Sequence, residues 1–276
     1  MTAIPNAPPK ISAADTVDEI VKVSNRHTNF PLRRDFLQQR KDGTLKPGPL
    51  GPLVTAGDLR GLKLYLLVVT KASSEPYDAK LPAAVWARAI DIELPTTATA
   101  RSAISKTWLR LERARLIRRE REERKAKVTL LKEDGSGDDY TSPENQYFRV
   151  PLALWLTGPS TDVRWYQVLT LPELAVLLIG RSLGERFRLP AEKGPEWYGI
   201  SADTVTRGLK GLTERGLLVV DKRFKAAPLS PVGYTAEHRY SLVAPFKVGR
   251  ISGQPVHKAA KLASKRGARR TARKSA

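Results

Sequence analysis

Cysteine is absent from this 276-residue chain, which removes disulfides, thiolate metal sites and thiol redox chemistry together and suits a reducing cytoplasm. Histidine is scarce. The three present, His27, His238 and His257, fall in the opening segment, a late hairpin pattern and the basic end, so neither a histidine-based triad nor a His-rich metal site has much to build on. No GxxxxGK[ST] phosphate loop occurs, nor a GxGxxG after a strand pattern, and Asp138 and Asp139 sit in a Gly-rich loop where solvated carboxylates are expected. The expectation is a protein that is not an enzyme and holds no cofactor and no metal. Long apolar runs are missing as well. The longest, LYLLVV at Leu64 to Val69, is far short of the roughly 20 residues that cross a bilayer, and MTAIPNAPPK has no signal-peptide core. The expected location is the cytoplasm, with no membrane partner.

Acidic residues are in deficit. Against 48 Lys and Arg stand 28 Asp and Glu, a formal net charge of +20 that makes a polyanion the expected partner and the nucleoid the expected place. A hydrophobic content of 41% suffices for two ordinary domain cores at this length.

The charge and the apolar residues are unevenly spread. Residues 1–52 are rich in Pro, Gly and charge, with weak periodicity around Val17 to Val23, and read as a mostly irregular arm ending in the linker-like LKPGPLGPL. From Lys247 to Ala276 there are ten Lys or Arg and no Asp or Glu, so half of the net charge sits in a tail too poor in apolar residues to bury a core.

Between arm and tail the sequence repeats itself. Ile104, Trp108, Leu111, Leu116 and Ile117 match Val205, Leu209, Leu212, Leu217 and Leu218 in one register. Each copy follows an apolar helix pattern, LRGLKLYLLVVTKA at 59–72 or LPELAVLLIGRSL at 171–183. Each is followed by an outgoing strand, a loop and a returning strand: LIRREREERKAKVTLL and QYFRVP in the first copy, LLVVDKRF and HRYSLVAP in the second. Two units are too few to stack as a solenoid, so the repeat predicts duplicated domains.

The second copy specifies its helix at both ends. Ser201 is a good N-cap with Asp203 in the first turn, Ile200 and Val205 suit a hydrophobic staple, and Gly216 can take the left-handed conformation that ends a helix. Val205, Leu209 and Leu212 form one apolar stripe, which leaves Ala202, Thr206, Arg207 and Lys210 outward. A solvated amphipathic helix would look the same. The first copy, however, repeats the polar face with Arg101, Ser102, Ser105, Lys106, Arg110 and Arg113, and Ser105 and Lys106 fall opposite Thr206 and Arg207. Side chains of this kind reach base edges and phosphates in a major groove.

The stretch DTVTRGLKGLTERGLLVV resembles the recognition half of bacterial winged helix-turn-helix proteins, and SAISKTWLRLERARLIRR is a degenerate match with Arg115 in place of the turn glycine. The resemblance covers about Leu53 to Pro245. It implies a mainly α fold with small β-hairpins (α+β), with winged-helix domains at 53–150 and 171–246 and a connection at 151–170; the basic tail at 247–276 lies outside the resemblance and is expected from its composition to be disordered. It also implies recognition helices at 97–113 and 201–215, each led by a shorter helix, LPAAVWARAI or GPEWYGI. The tandem layout is similar to that of plasmid replication initiators.

The DNA-binding candidates extend into the hairpins and tail. Arg119, Arg121 and Lys125 line one ridge if the basic run after the first helix is a strand; an exposed helix extension with internal ion pairs fits the interleaved Glu120, Glu122 and Glu123 equally. Lys222 and Arg223 on the second hairpin, and Lys265, Arg266, Arg269 and Arg270 in the tail, are expected on phosphates. Trp155, Trp165, Trp197 and Tyr198 are expected in the packing between domains rather than on bases. The expected partner is double-stranded DNA, with self-association left open. The expected function is sequence-specific DNA binding in transcriptional regulation, with a plasmid-type replication initiator or a nucleoid-associated architectural protein as alternatives.

Overall fold

In the computed structural model the described residues are 11–91, 97–122, 125–158 and 162–248, an α+β arrangement of helices and small antiparallel sheets. The segment expected to be an irregular arm is ordered from Ile11 onward. Helix α1 (Ala13–Lys22) starts at a capping box in which the Ser12 hydroxyl accepts from Asp15 N at 3.0 Å and the Asp15 carboxylate accepts from Ser12 N at 2.9 Å. Strand β1 (Asn29–Arg33), the hairpin β2 (Gln38–Lys41) and β3 (Thr44–Pro47), and helix α2 (Leu50–Thr55) follow. Phe30, Leu32, Phe36 and Leu50 have no exposed surface. Only α1, which buries Thr16, Val17, Ile20 and Val21, is long enough to leave a periodicity, and the strands and the six-residue α2 that follow are too short to show one.

The first repeat begins with α3 (Leu59–Lys71), whose N-cap Asp58 accepts from Gly61 N at 2.9 Å. Strand β4 (Asp78–Leu81), α4 (Ala83–Ala89), α5 (Thr97–Arg113), β5 (Ile117–Glu122) and β6 (Lys125–Leu130) complete it, the sheet running in the order β4-β6-β5. The run 116–131, expected as a single outgoing strand or a helix extension, is therefore a whole hairpin. In the register Glu120 stands opposite Lys127, 3.9 Å from its Nζ, and Glu122 opposite position 125. The expected returning strand, β7 (Tyr147–Pro151), instead pairs with β1, placing Phe30 opposite Val150. The expected outgoing strand is thus two paired strands, and the expected returning strand is one further along the chain.

The second repeat runs through α6 (Trp165–Val168), α7 (Leu171–Leu183), α8 (Gly194–Tyr198), α9 (Ala202–Glu214), β8 (Leu218–Ala226) and β9 (Tyr234–Leu242). In place of a strand before α8 there is a single antiparallel bridge between Phe187 and Tyr240. Helix α9 crosses α7 closely at Gly208, where an added Cβ would lie 2.4 Å from the Pro172 carbonyl oxygen.

One hydrophobic cluster runs through both repeats. The segment before α3 joins them. Gln38 Nε2 donates to the Trp197 carbonyl at 3.1 Å, Thr55 Oγ1 to that of Gly199 at 3.2 Å, and Arg34 to that of Ser182. A Cβ on Gly51 would lie 2.6 Å from the Tyr198 carbonyl oxygen, so glycine is needed for this approach. On the other side, Arg33 lies over the Tyr140 ring and pairs with the fully buried Glu133. Among the described residues no helix is long and apolar enough to cross a membrane.

Candidate nucleic-acid interface

Helix α9 forms as its sequence specifies. Ser201 Oγ accepts from Thr204 N at 3.1 Å, Ile200 and Val205 are buried on each side of that cap, and Gly216 has φ +69°. Burying Val205, Leu209 and Leu212 stabilises this face by about 1.5–3 kcal/mol for each side chain. Thr206, Arg207 and Lys210 are exposed and Ala202 is half-buried at the leading end. Arg207 Nε lies 2.9 Å from Asp203 and Lys210 Nζ 3.7 Å from Glu214, both exposed i,i+4 pairs of small net stability that a competing phosphate can open.

Helix α5 has the same stripe, with Ile104, Trp108 and Leu111 buried and Arg101, Ser102, Ser105, Lys106 and Arg113 exposed. Arg110 is exposed on that face as well, but its guanidinium is engaged. Its guanidinium grips the buried Asp58 carboxylate with both branches, Nε to Oδ2 at 2.6 Å and Nη2 to Oδ1 at 2.7 Å. It therefore ties α5 to the start of α3. The second repeat has a counterpart in Arg215, whose Nε donates to Glu173 in the first turn of α7 at 3.0 Å. Arg115, in the place of the turn glycine, adopts φ +53°, so α5 ends at the same point of the repeat as α9.

The basic ridge expected on the first hairpin is not one ridge. The register sets Arg119 opposite Val128 and Arg121 opposite Ala126, but Lys125 opposite Glu122, so Lys125 falls on the other alternation from the two arginines. Arg119 is half-buried and its Nη2 lies 3.1 Å from Glu112 of α5, which occupies it in packing the hairpin onto the helix. Of Arg121 and Lys125 only the backbone positions are described. Asp138 and Asp139 are in ion pairs, with Lys132 at 3.6 Å and Arg118 at 3.1 Å.

Hairpin β8–β9 extends away from the core, with every residue of β8 after Leu218 exposed. Lys222 and Arg223 lie on it as expected, joined by Lys225 and Arg239. Between the hairpin and the outer side of α9 is a half-open cleft of about 620 Å³, lined by Thr206, Lys210 and Thr213 on one wall and by Val220, His238 and Tyr240 on the other. Lys265, Arg266, Arg269 and Arg270 lie outside the described residues.

Trp155, Trp165 and Tyr198 are buried, Trp155 donating to Thr70 Oγ1 at 2.9 Å, so they fill the core as expected. Phe224 and Tyr234 are exposed, and neither was among the residues expected to act. The signal available was the turn APLSPVGY, apolar where turns are ordinarily polar.

No protein-family model matches the chain, and no curated protein and no solved structure matches it.

Proposed function

We propose that the chain is a sequence-specific double-stranded DNA-binding protein in which two winged-helix units, at 53–150 and 171–246, each set a recognition helix, α5 or α9, into a major groove. The observation that carries this reading is one topology repeated with one polar face. In each repeat an apolar helix is followed by a strand or bridge, a short helix, a longer helix and a hairpin. The strand or bridge pairs with the last strand of that hairpin: β4 with β6, and Phe187 with Tyr240. In each, the longer helix buries its stripe and presents a hydroxyl followed by a cation, Ser105 and Lys106 or Thr206 and Arg207. A duplicated solvated surface would have no reason to keep that pair in register.

Arg207 and Lys106 are the base-reading side chains in this proposal, because a forked or terminal donor on an exposed helical position reaches guanine acceptors. Lys222 and Arg223 hold phosphates, each contact steepening the salt dependence by roughly 0.9. The ten cations of residues 247–276 favour a second reading, in which charge coats nucleic acid without sequence preference. Selection of the full chain on a random duplex pool at near-physiological salt separates the two. A shared motif among the bound sequences supports specific readout, and its occurrence singly at promoters or in iterated arrays decides between regulator and replication initiator. A flat profile overturns specific readout in favour of coating.

A further inference from the structure

The β8–β9 hairpin carries a feature that base reading by α9 does not use. Its connecting turn is apolar and fully projected: Leu229 is 102% exposed and Val232 64%, with Pro228 and Pro231 beside them. Scattered apolar side chains on a surface need no explanation, but here Phe224 and Tyr234 stand behind the turn, their rings edge to face at 5.1 Å and also exposed. The turn is held in shape. Ala227 N donates to the Gly233 carbonyl at 2.8 Å, Ser230 N to that of Ala227 at 2.8 Å, Gly233 N to that of Ser230 at 2.9 Å, and Ser230 Oγ to that of Tyr234 at 3.1 Å. Leu229 is thus presented to water by an ordered apex, so seating it in a partner costs little further ordering.

The β8 flank of this apex is cationic. Lys222 lies over the Phe224 ring, and the two carboxylates of the hairpin are each shared among cations: Asp221 lies 2.6 Å from Arg186 and 3.1 Å from Arg223, while Glu237 takes Arg188 at 3.1 Å, Arg239 at 3.0 Å and Lys225. The excess is positive on β8, where Lys222, Arg223 and Lys225 stand against Asp221, while on β9 Glu237 and Arg239 balance. An apolar point at the end of a cationic strand complements a groove whose walls are phosphates and whose floor is stacked bases. The nine residues of β8 span about 30 Å from the end of α9, enough to leave the groove that holds the helix and reach the next one.

We propose that the β8–β9 apex is a wedge that enters the minor groove beside the duplex segment read by α9 and parts one base step, Leu229 being the inserted side chain. Apolar wedges of this kind unstack a step and kink the duplex by roughly 20–90°. The proposal rests on the reading of α9 as a recognition helix and adds that this protein deforms the DNA it binds.

The test uses the full chain, the duplex enriched from the random pool with 2-aminopurine placed at successive steps, and end labels that report bending by energy transfer. Wild-type protein is expected to bend the duplex and to brighten 2-aminopurine at one step. Leu229→Ser with Val232→Ser, both on exposed turn positions that leave the fold intact, is expected to abolish both signals. It should weaken binding about tenfold, the loss expected for withdrawing a buried leucine, with the salt slope unchanged because no cation is removed. Binding without bending or brightening, or a double variant that keeps both, overturns the wedge and leaves the reading of α9 standing. Failure to enrich any duplex removes that reading and the wedge with it. A double variant that binds DNA normally but no longer binds phosphatidylserine–phosphatidylcholine vesicles shows the apex to be a lipid contact and overturns the wedge.

Discussion

Arg115 and Gly216 occupy the same turn of the two repeats and share a left-handed backbone, φ +53° and +69°, although only one of them is a residue that adopts it freely. For the arginine this conformation costs about 1 kcal/mol through its Cβ. Arg115→Gly is accordingly expected to raise stability by up to that amount, and Gly216→Ala to lower it by a similar amount. Urea denaturation of the two variants is the measurement; a destabilised Arg115→Gly would mean that the contact of the arginine side chain with the Ser136–Gly137 loop outweighs the backbone strain.

Two cations on α5 are expected to separate cleanly. Arg110→Ala strands the buried Asp58 carboxylate and should cost about 2 kcal/mol after allowance for solvent around the guanidinium, with base preference unchanged. Lys106→Ala, at an exposed position, should leave stability within about 0.5 kcal/mol and relax base preference instead. Parallel denaturation and site-selection profiles read both effects, and an Arg110 variant of normal stability would remove it from the packing role.

Arg207→Ala is expected to relax specificity at one base pair of the selected site, by about 1–3 kcal/mol of discrimination. Deleting residues 258–276 should instead weaken binding to all sequences alike and lower the salt slope. Competition titrations at several salt concentrations distinguish them. An unchanged preference in the Arg207 variant would withdraw α9 from base readout.

Gly208→Ala places a methyl group 2.4 Å from the Pro172 carbonyl oxygen and 2.5 Å from Val176 Cγ2, so α9 must move off α7. Overpacking of this kind costs about 1–3 kcal/mol. A lowered thermal midpoint together with weakened binding is expected, and an unaffected midpoint would show that the crossing is looser than the close approach of the two helices indicates.

Burial pushes the Glu133 carboxyl above its ordinary value of 4.5, and Arg33 opposes that shift. A folded value raised above the unfolded one means that the folded state holds the proton more tightly, so this group's contribution is complete below 4.5 and is lost as pH rises through the folded value. Glu133→Gln removes the titration. Between pH 4 and pH 7 the denaturation midpoint of the variant should therefore gain on the wild type; the opposite trend would show the ion pair with Arg33 prevailing over desolvation.

Much of the second repeat was legible because local chemistry and tertiary packing agree there: the Ser201 cap, the Val205, Leu209 and Leu212 stripe and the turn at Gly216 lie where their residue types require. The first repeat was legible at its helix and misread at its hairpin, since a string of alternating Arg and Glu satisfies a helix, one strand or two strands until a partner strand is known. Arg110 and Arg119 read as ligands for phosphate because sequence reports charge but not its counter-ion. Asp58 and Glu112 are their partners here, and only packing brings those groups within reach.

The composition and periodicity of the chain by themselves determined a basic protein with two matching helix-and-hairpin repeats and a cationic end. The tertiary structure alone decided that residues 11–58 are part of the core, that β7 pairs with β1, and that Leu229 stands at an ordered apex. Periodicity records how a segment meets its own neighbours along the chain. Pairings between segments a hundred residues apart depend on which surfaces close the core, and elements of four to six residues are too short to leave a repeat from which to read them.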